Sequence, residues 1–298
     1  MEEVGMRTRS RGRGGRRRGG PERDALLREL LSAPRFEVLP TSGIADVVAG
    51  SLPAGRTVTV TASVSLGFER MLSTVEQLQE RGYRAVPHIA ARMVAGRSEL
   101  AEIVERLTTA GVTEVFVPAG DAPEPAGDYA SALDLLRDLA ELGNPFAQVG
   151  IAGYPESHPH IPDRQTIAAM TDKRPYADCV VSNLCFDPAV VADWIGALRE
   201  RGETLPVKVG VPGKVDPARL LKVASAIGVG ESTRFLSKNT SLFARLLLPG
   251  GFSPERYLRK LAGRLTGPEV QVSGLHVYTF NQVAATEEWR ERLLAKLG

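Results

Sequence analysis

Three features of this 298-residue sequence predict an α/β fold: a single (β/α)8 TIM barrel with an extra N-terminal helix and a disordered basic N-terminal tail. They are eight valine-rich runs, helical patterns between them, and glycines that end those helices just before the next run. The folded part, residues 21–298, has the usual length of such a barrel. With 43% hydrophobic and 24% charged residues, the chain can bury a full core.

Taken in order, residues 1–20 form an Arg/Gly-rich tail. The first 23 residues hold eight arginines against Glu2, Glu3 and Glu22, a net of +5, which leaves −3 on the remainder of a chain whose total is +2. Arg7–Arg18 has no apolar periodicity, so nothing orders it by burial. Without interleaved aromatics, this tail alone does not argue for nucleic-acid binding. Folding starts near Pro21, where Ala25, Leu26, Leu30 and Leu31 mark one helical stripe. Strands are expected at 35–39, 57–62, 84–90, 114–118, 148–152, 179–186, 206–211 and 275–280. Helical spacing fills 68–81, 98–110, 131–142 and 188–200, and Gly111 and Gly143 end two of these helices. Two further helical stretches in 232–266, split by Pro249-Gly250-Gly251, read as an insertion in one βα unit.

No run of about 18 apolar residues and no apolar leader occurs, so neither a membrane span nor a secretory signal is expected. Cys179 and Cys185 have no partner pair, which excludes a disulfide framework or a four-thiolate zinc site and fits a reducing cytoplasm. Charged helix faces point to a monomer or a small homo-oligomer. The first strand runs into Leu39-Pro-Thr-Ser-Gly43, not the glycine-rich loop of a doubly wound dinucleotide fold.

Barrel enzymes carry their chemistry at the carboxyl ends of the strands. There the sequence offers Glu37; Thr59, Thr61 and Ser63; His88; Asp121; Tyr154, Glu156 and His158; Asn183 and Asp187; and His276, Tyr278, Thr279 and Asn281. Glu37, between Phe36 and Val38, reads as a general acid in an apolar pocket or as a rim glutamate bonded to an arginine. Asp121, after Pro118-Ala119-Gly120, reads as a ligand contact or as a turn aspartate. His158-Pro159-His160 has a metal-like spacing but no third ligand in the sequence, so no metal is expected.

Six blocks, taken in order, resemble the methylenetetrahydrofolate reductase family: Phe36-Glu37-Val-Leu-Pro40, Val117-Pro118-Ala119-Gly120-Asp121, Gly153-Tyr154-Pro155-Glu156-Ser157-His158-Pro159, Val181-Ser182-Asn183-Leu-Cys-Phe186-Asp187, Val209-Gly210-Val-Pro212-Gly213 and His276-Val-Tyr278-Thr279-Phe280-Asn281. The resemblance implies a barrel that reduces 5,10-methylenetetrahydrofolate to 5-methyltetrahydrofolate, with NADH or NADPH as co-substrate. It implies Glu37 as the acid that protonates the folate nitrogen, and Asp121 as the group that bonds the pterin and steadies the cation. Asn183 stands where the family has a glutamine, and Gln282 where it has an arginine; with Tyr278 they complete the folate side.

The departures fall on the flavin. Ala119 replaces an arginine, and Ala168, Thr171 and Asp172 stand near the expected flavin-phosphate contacts, with Lys173 and Arg174 as substitute cations. Each charge-assisted bond lost is worth roughly 1.5 to 3 kcal/mol, which argues against stable FAD binding. The preferred expectation is therefore a flavin-independent reductase whose nicotinamide site is lined by Thr61, His88, Gly120, Tyr154 and His158. The folate glutamate tail is assigned to Lys208 or Lys238. The alternatives are an FAD-dependent reductase with rearranged contacts and a non-catalytic folate- or nucleotide-binding paralogue.

Overall fold

The structure, a computed structural model, describes residues 20–158, 161–214, 252–265 and 270–298. The basic tail up to residue 19 and the first helical stretch of the 232–266 insertion lie outside them. Helix α1 (Gly20–Ser32) buries Leu27, Leu30 and Leu31, and packs on α8, α9 and β8. The remaining elements are β1 (Arg35–Val38), α2 (Ile44–Ala49), β2 (Thr57–Val60), α3 (Phe68–Glu80), β3 (Arg84–Pro87), α4 (Arg97–Thr109), β4 (Glu114–Val117) and α5 (Ala132–Glu141). They continue as β5 (Gln148–Gly153), α6 (Asp163–Lys173), β6 (Cys179–Ser182), α7 (Pro188–Glu200), β7 (Val207–Pro212), α8 (Pro254–Ala262), β8 (Val272–Tyr278) and α9 (Val283–Leu297).

The strands pair in the order β3-β2-β1-β8-β7-β6-β5-β4, and the pairs with assigned register are all parallel. The two ends of that order meet where His88, just past β3, bridges Phe116 of β4. Ile89 N–H donates to the Phe116 carbonyl at 2.8 Å and Ala91 N–H to that of Pro118 at 3.0 Å. The result is the (β/α)8 barrel that the sequence predicts. Gly111 and Gly143 take φ of 79° and 85°, the left-handed turn that a glycine adopts without strain.

Several details differ from the sequence reading: β2 stops at Val60 and β3 at Pro87, short of the expected 62 and 90, and the terminal helix α9 is not marked by it. Helix α2 follows β1, and its six residues are too few to show a period. Strand β6 stops at Ser182 instead of running to residue 186, because Asn183 turns its side-chain carbonyl onto the N–H of Leu184. Strand β8 starts three residues earlier, at Val272.

Side chains of one parity, such as Val58, Val60, Val115, Val117, Val149 and Val209, join the helices in one outer core. The other parity fills the lumen. At the amino-terminal end Arg35 reaches across to Glu114 and Gln148. Above it Val86, Phe116, Ala152 and Val181 form a separate apolar layer, where a Cβ on Gly150 would sit 3.3 Å from the Phe116 ring. Polar side chains then occupy the carboxyl end. Cys179 and Cys185 are buried free thiols. Among the described residues no helix is long and apolar enough to cross a membrane.

Candidate functional site

Because β1 pairs with β8, Arg35 lies opposite His276 and Glu37 opposite Tyr278. His276 is thus one lumen step below Glu37, and its Nε2 meets Glu37 Oε2 at 2.8 Å. The surroundings correct the apolar pocket expected around Glu37. Phe36 and Val38 point to the outer core, whereas the carboxylate faces two imidazoles, with His88 Nε2 3.9 Å from the same oxygen. Beyond β8 the chain is stapled to the exit of β1. Thr279 Oγ1 donates to the Glu37 carbonyl, and the Asn281 side chain accepts from Leu39 N–H at 2.8 Å and donates to Thr41 Oγ1 at 2.9 Å. Phe280 and Asn281 hold φ of 49° and 58°, a left-handed pair that only such over-determined contacts maintain.

Tyr278 stacks edge-on against His276 at 4.9 Å and donates its hydroxyl across the lumen to the Ser182 carbonyl at 3.2 Å. Gly210 leaves that path open, since a Cβ there would lie 2.2 Å from the same carbonyl and 2.9 Å from the Tyr278 ring. Burial pushes the Tyr278 phenol well above its usual pKa, helped by the charge of Glu37 and by Tyr154. Tyr154 is raised too, by burial and then by Asp121. The charges of Glu37 and Asp121 thus each bear on one of these two tyrosines. His88 is held well below the usual histidine range, first by burial and then by His276 and Arg35, so its imidazole is neutral at neutral pH.

Four enclosed polar atoms here have no hydrogen-bond partner among the described residues: Thr59 Oγ1, Thr61 Oγ1, His88 Nε2 and His276 Nδ1. Enclosed polar atoms are ordinarily bonded, so a group of orphans marks a place for a ligand or water. Asp121 is exposed on the loop after β4, beyond Gly120, whose φ of 90° and 3.0 Å clearance to the Ala90 Cβ leave no room for a side chain. Arg92 orders that loop by donating to the carbonyls of Ala122, Pro123 and Ala130. Tyr154 and His158 pack edge to face at 5.1 Å, and His158 Nδ1 accepts from Ile161 N–H.

The remaining candidates are scattered. Asn183 is exposed at the end of β6, while Gln282 is 6% exposed at the start of α9. Lys208 belongs to the other end of the barrel, where its charge is felt with those of Arg35 and Glu114, so it does not reach a ligand at the mouth. Lys238 and His160 lie outside the described residues. The sequence reading listed His276 at strand eight without a role; its alternation with Tyr278 on the face shared with Glu37 is the signal that finds it. Glu37, His88 and His276 have one ligand atom each within 4.8 Å of one another, a spacing that a divalent ion can bridge. However, His276 Nδ1 lacks the second hydrogen bond that orients a metal-bound imidazole.

The methylenetetrahydrofolate reductase family model matches residues 42–222, more than half of the chain. The chain belongs to that family. Similar members include "Methylenetetrahydrofolate reductase (NADH) 1" of Zea mays, 25% identical over 36% of this chain and 21% of that protein. "5,10-Methylenetetrahydrofolate reductase" of Pectobacterium carotovorum is 32% identical over 33% of this chain and 32% of that one. "Methylenetetrahydrofolate reductase 2" of Saccharomyces cerevisiae is 23% identical over 66% of this chain and 34% of its own length. The matched regions span about a third or less of these methylenetetrahydrofolate reductases. The family match stops short of both β1 and β8, and the fold is what joins Glu37 and His276 to the matched Asp121 loop.

Proposed function

We propose that residues 21–298 form a catalytic domain that reduces 5,10-methylenetetrahydrofolate to 5-methyltetrahydrofolate with NADH or NADPH and no intervening flavin, as a monomer or small homo-oligomer in the cytoplasm. The observation that carries this reading is Glu37 at the carboxyl end of β1, beside enclosed polar atoms that lack a protein partner. One proton and one hydride are added overall. In this reading Glu37 delivers the proton to a folate ring nitrogen, so that the five-membered ring opens to an iminium. Asp121 lies along the pterin and steadies the positive charge, with Asn183, Tyr278 and Gln282 on the folate side. The reduced nicotinamide supplies the hydride. Thr61 and His88 offer its carboxamide the hydrogen bonds they lack, and Gly120, Tyr154 and His158 line the same side. The barrel thus contributes orientation and an acid. The maize relative's printed name, with its NADH, supports a nicotinamide donor.

FAD fits these residues poorly. Its pyrophosphate needs cations, yet Ala119 offers none and Asp172 adds a negative charge. Lys173 is only 9% exposed at the end of α6, and burial lowers its ammonium pKa to about 8. Arg164 and Arg174 remain as exposed cations of that segment.

The test is NADH oxidation by protein freed of bound flavin, with methylenetetrahydrofolate and no added FAD. Stoichiometric methyltetrahydrofolate is the expected result. Turnover that appears only when FAD is supplied overturns the direct transfer, and silence with NADPH and FAD as well overturns the enzymatic reading.

A further inference from the structure

We propose that His276 is the positioning residue of the acid: its Nε2–H donates to Glu37 Oε2 whether or not the carboxyl is protonated, and so confines the transferable proton to Oε1. The inference rests on the reading of Glu37 as the acid and adds to it the group that decides which oxygen is used.

Three observations carry it. The Nε2–Oε2 distance is 2.8 Å, and His276 is 2% exposed, with the Tyr278 ring edge-on at 4.9 Å and the His88 ring at 6.1 Å. The imidazole therefore has little room to turn away. Its other nitrogen, Nδ1, is enclosed and has no partner among the described residues. With the carboxyl ionised, a proton on Nε2 makes a charge-assisted bond, whereas a proton on Nδ1 leaves two lone pairs facing each other at Oε2; with the carboxyl protonated, a tautomer that accepts from Oε2–H would enclose an Nδ1–H donor that lacks a protein partner, whereas Nε2–H leaves only an enclosed acceptor. Nε2 accordingly carries the proton. Finally, Glu37 Oε1 has no bond among the described residues, while the side chain keeps 14% exposure to the lumen. His88 Nε2, 3.9 Å from Oε2, is too distant to compete as a donor.

In each turnover the O–H bond at Oε1 breaks as an N–H bond forms on the folate, and a solvent proton restores Oε1. Oε2 stays bonded to His276 throughout, so the carboxyl does not rotate between the two states.

The experiment compares wild type with His276→Leu, which removes the donor, and His276→Gln, which restores one near the Nε2 position. His276→Leu is expected to lower kcat about a hundredfold, with the folate KM changed less than about threefold and the melting temperature kept. His276→Gln is expected to recover at least about tenfold of that loss. A second readout is independent of turnover: the infrared C=O stretch of protonated Glu37, identified by its loss in Glu37→Gln, moves to higher frequency in His276→Leu. A wild-type kcat in folded His276→Leu, or an unmoved C=O band, overturns the inference. An inactive wild type with the band shift present sinks the functional reading but upholds the hydrogen bond.

Discussion

The two ends of the barrel lumen are built from similar residue types and treated in opposite ways. At the amino-terminal end the Arg35 guanidinium spans to Glu114 and Gln148, so charge meets charge across the axis. At the carboxyl end Glu37, His88, His276, Thr59 and Thr61 crowd together, and four of their enclosed polar atoms have no partner among the described residues. A folded chain satisfies buried polar groups wherever stability is the only demand. The satisfied plug thus reads as structure and the unsatisfied mouth as a site, although composition alone would not separate them.

The sharpest way to break this contrast is Glu37→Gln. If the mouth is catalytic, the turnover described above falls by about 10² to 10⁴ while the protein still binds folate by calorimetry and melts near the wild-type temperature. Unchanged turnover removes Glu37 from the reaction. Arg35→Met probes the opposite end. It leaves Glu114 and Gln148 without their cation, and the expected cost is about 3 kcal/mol in a urea titration. The loss is held to that size because Glu114 keeps 29% side-chain exposure and can turn to water. The folate KM should be unaffected. The smallest effect belongs to Thr61→Val. It deletes a hydroxyl that already lacks a partner, so stability should hold or rise slightly. The KM for the nicotinamide should rise about fivefold, the worth of roughly 1 kcal/mol. A Thr61→Val protein that is destabilised, with its KM unchanged, would mean that the hydroxyl serves the fold.

Much of the architecture was legible in the sequence because its signals are local. Valine alternation located the strands, and the glycines at 111 and 143 marked helix ends that do turn left-handed. What escaped was non-local or brief. Glu37 and His276 are 239 positions apart, and only the register between the first and last strands brings them to 2.8 Å. Lys208 is a different case: it stands early in its run, and in a parallel barrel the early residues lie at the amino-terminal end, so its position already sets it apart from the mouth. Asn183 reads as strand until its side chain is seen bonding the next N–H, a competition that short polar residues bring to any strand end.

Between β3 and β4 the barrel closes past the end of β3, through the bridge from His88 to Phe116 and the backbone bonds of Ile89, Ala91 and Arg92, whereas β7 and β8 share a longer ladder. The join passes through a residue whose ring lies beside the acid. Opening there would carry His88 away from Glu37 without disturbing the bond to His276 on the far side of β1. The amides of Ile89 and Ala91, which donate across the join, should exchange with deuterium sooner than those inside the β7–β8 ladder. Slowing of those two amides on ligand addition would show the cylinder being clasped from within.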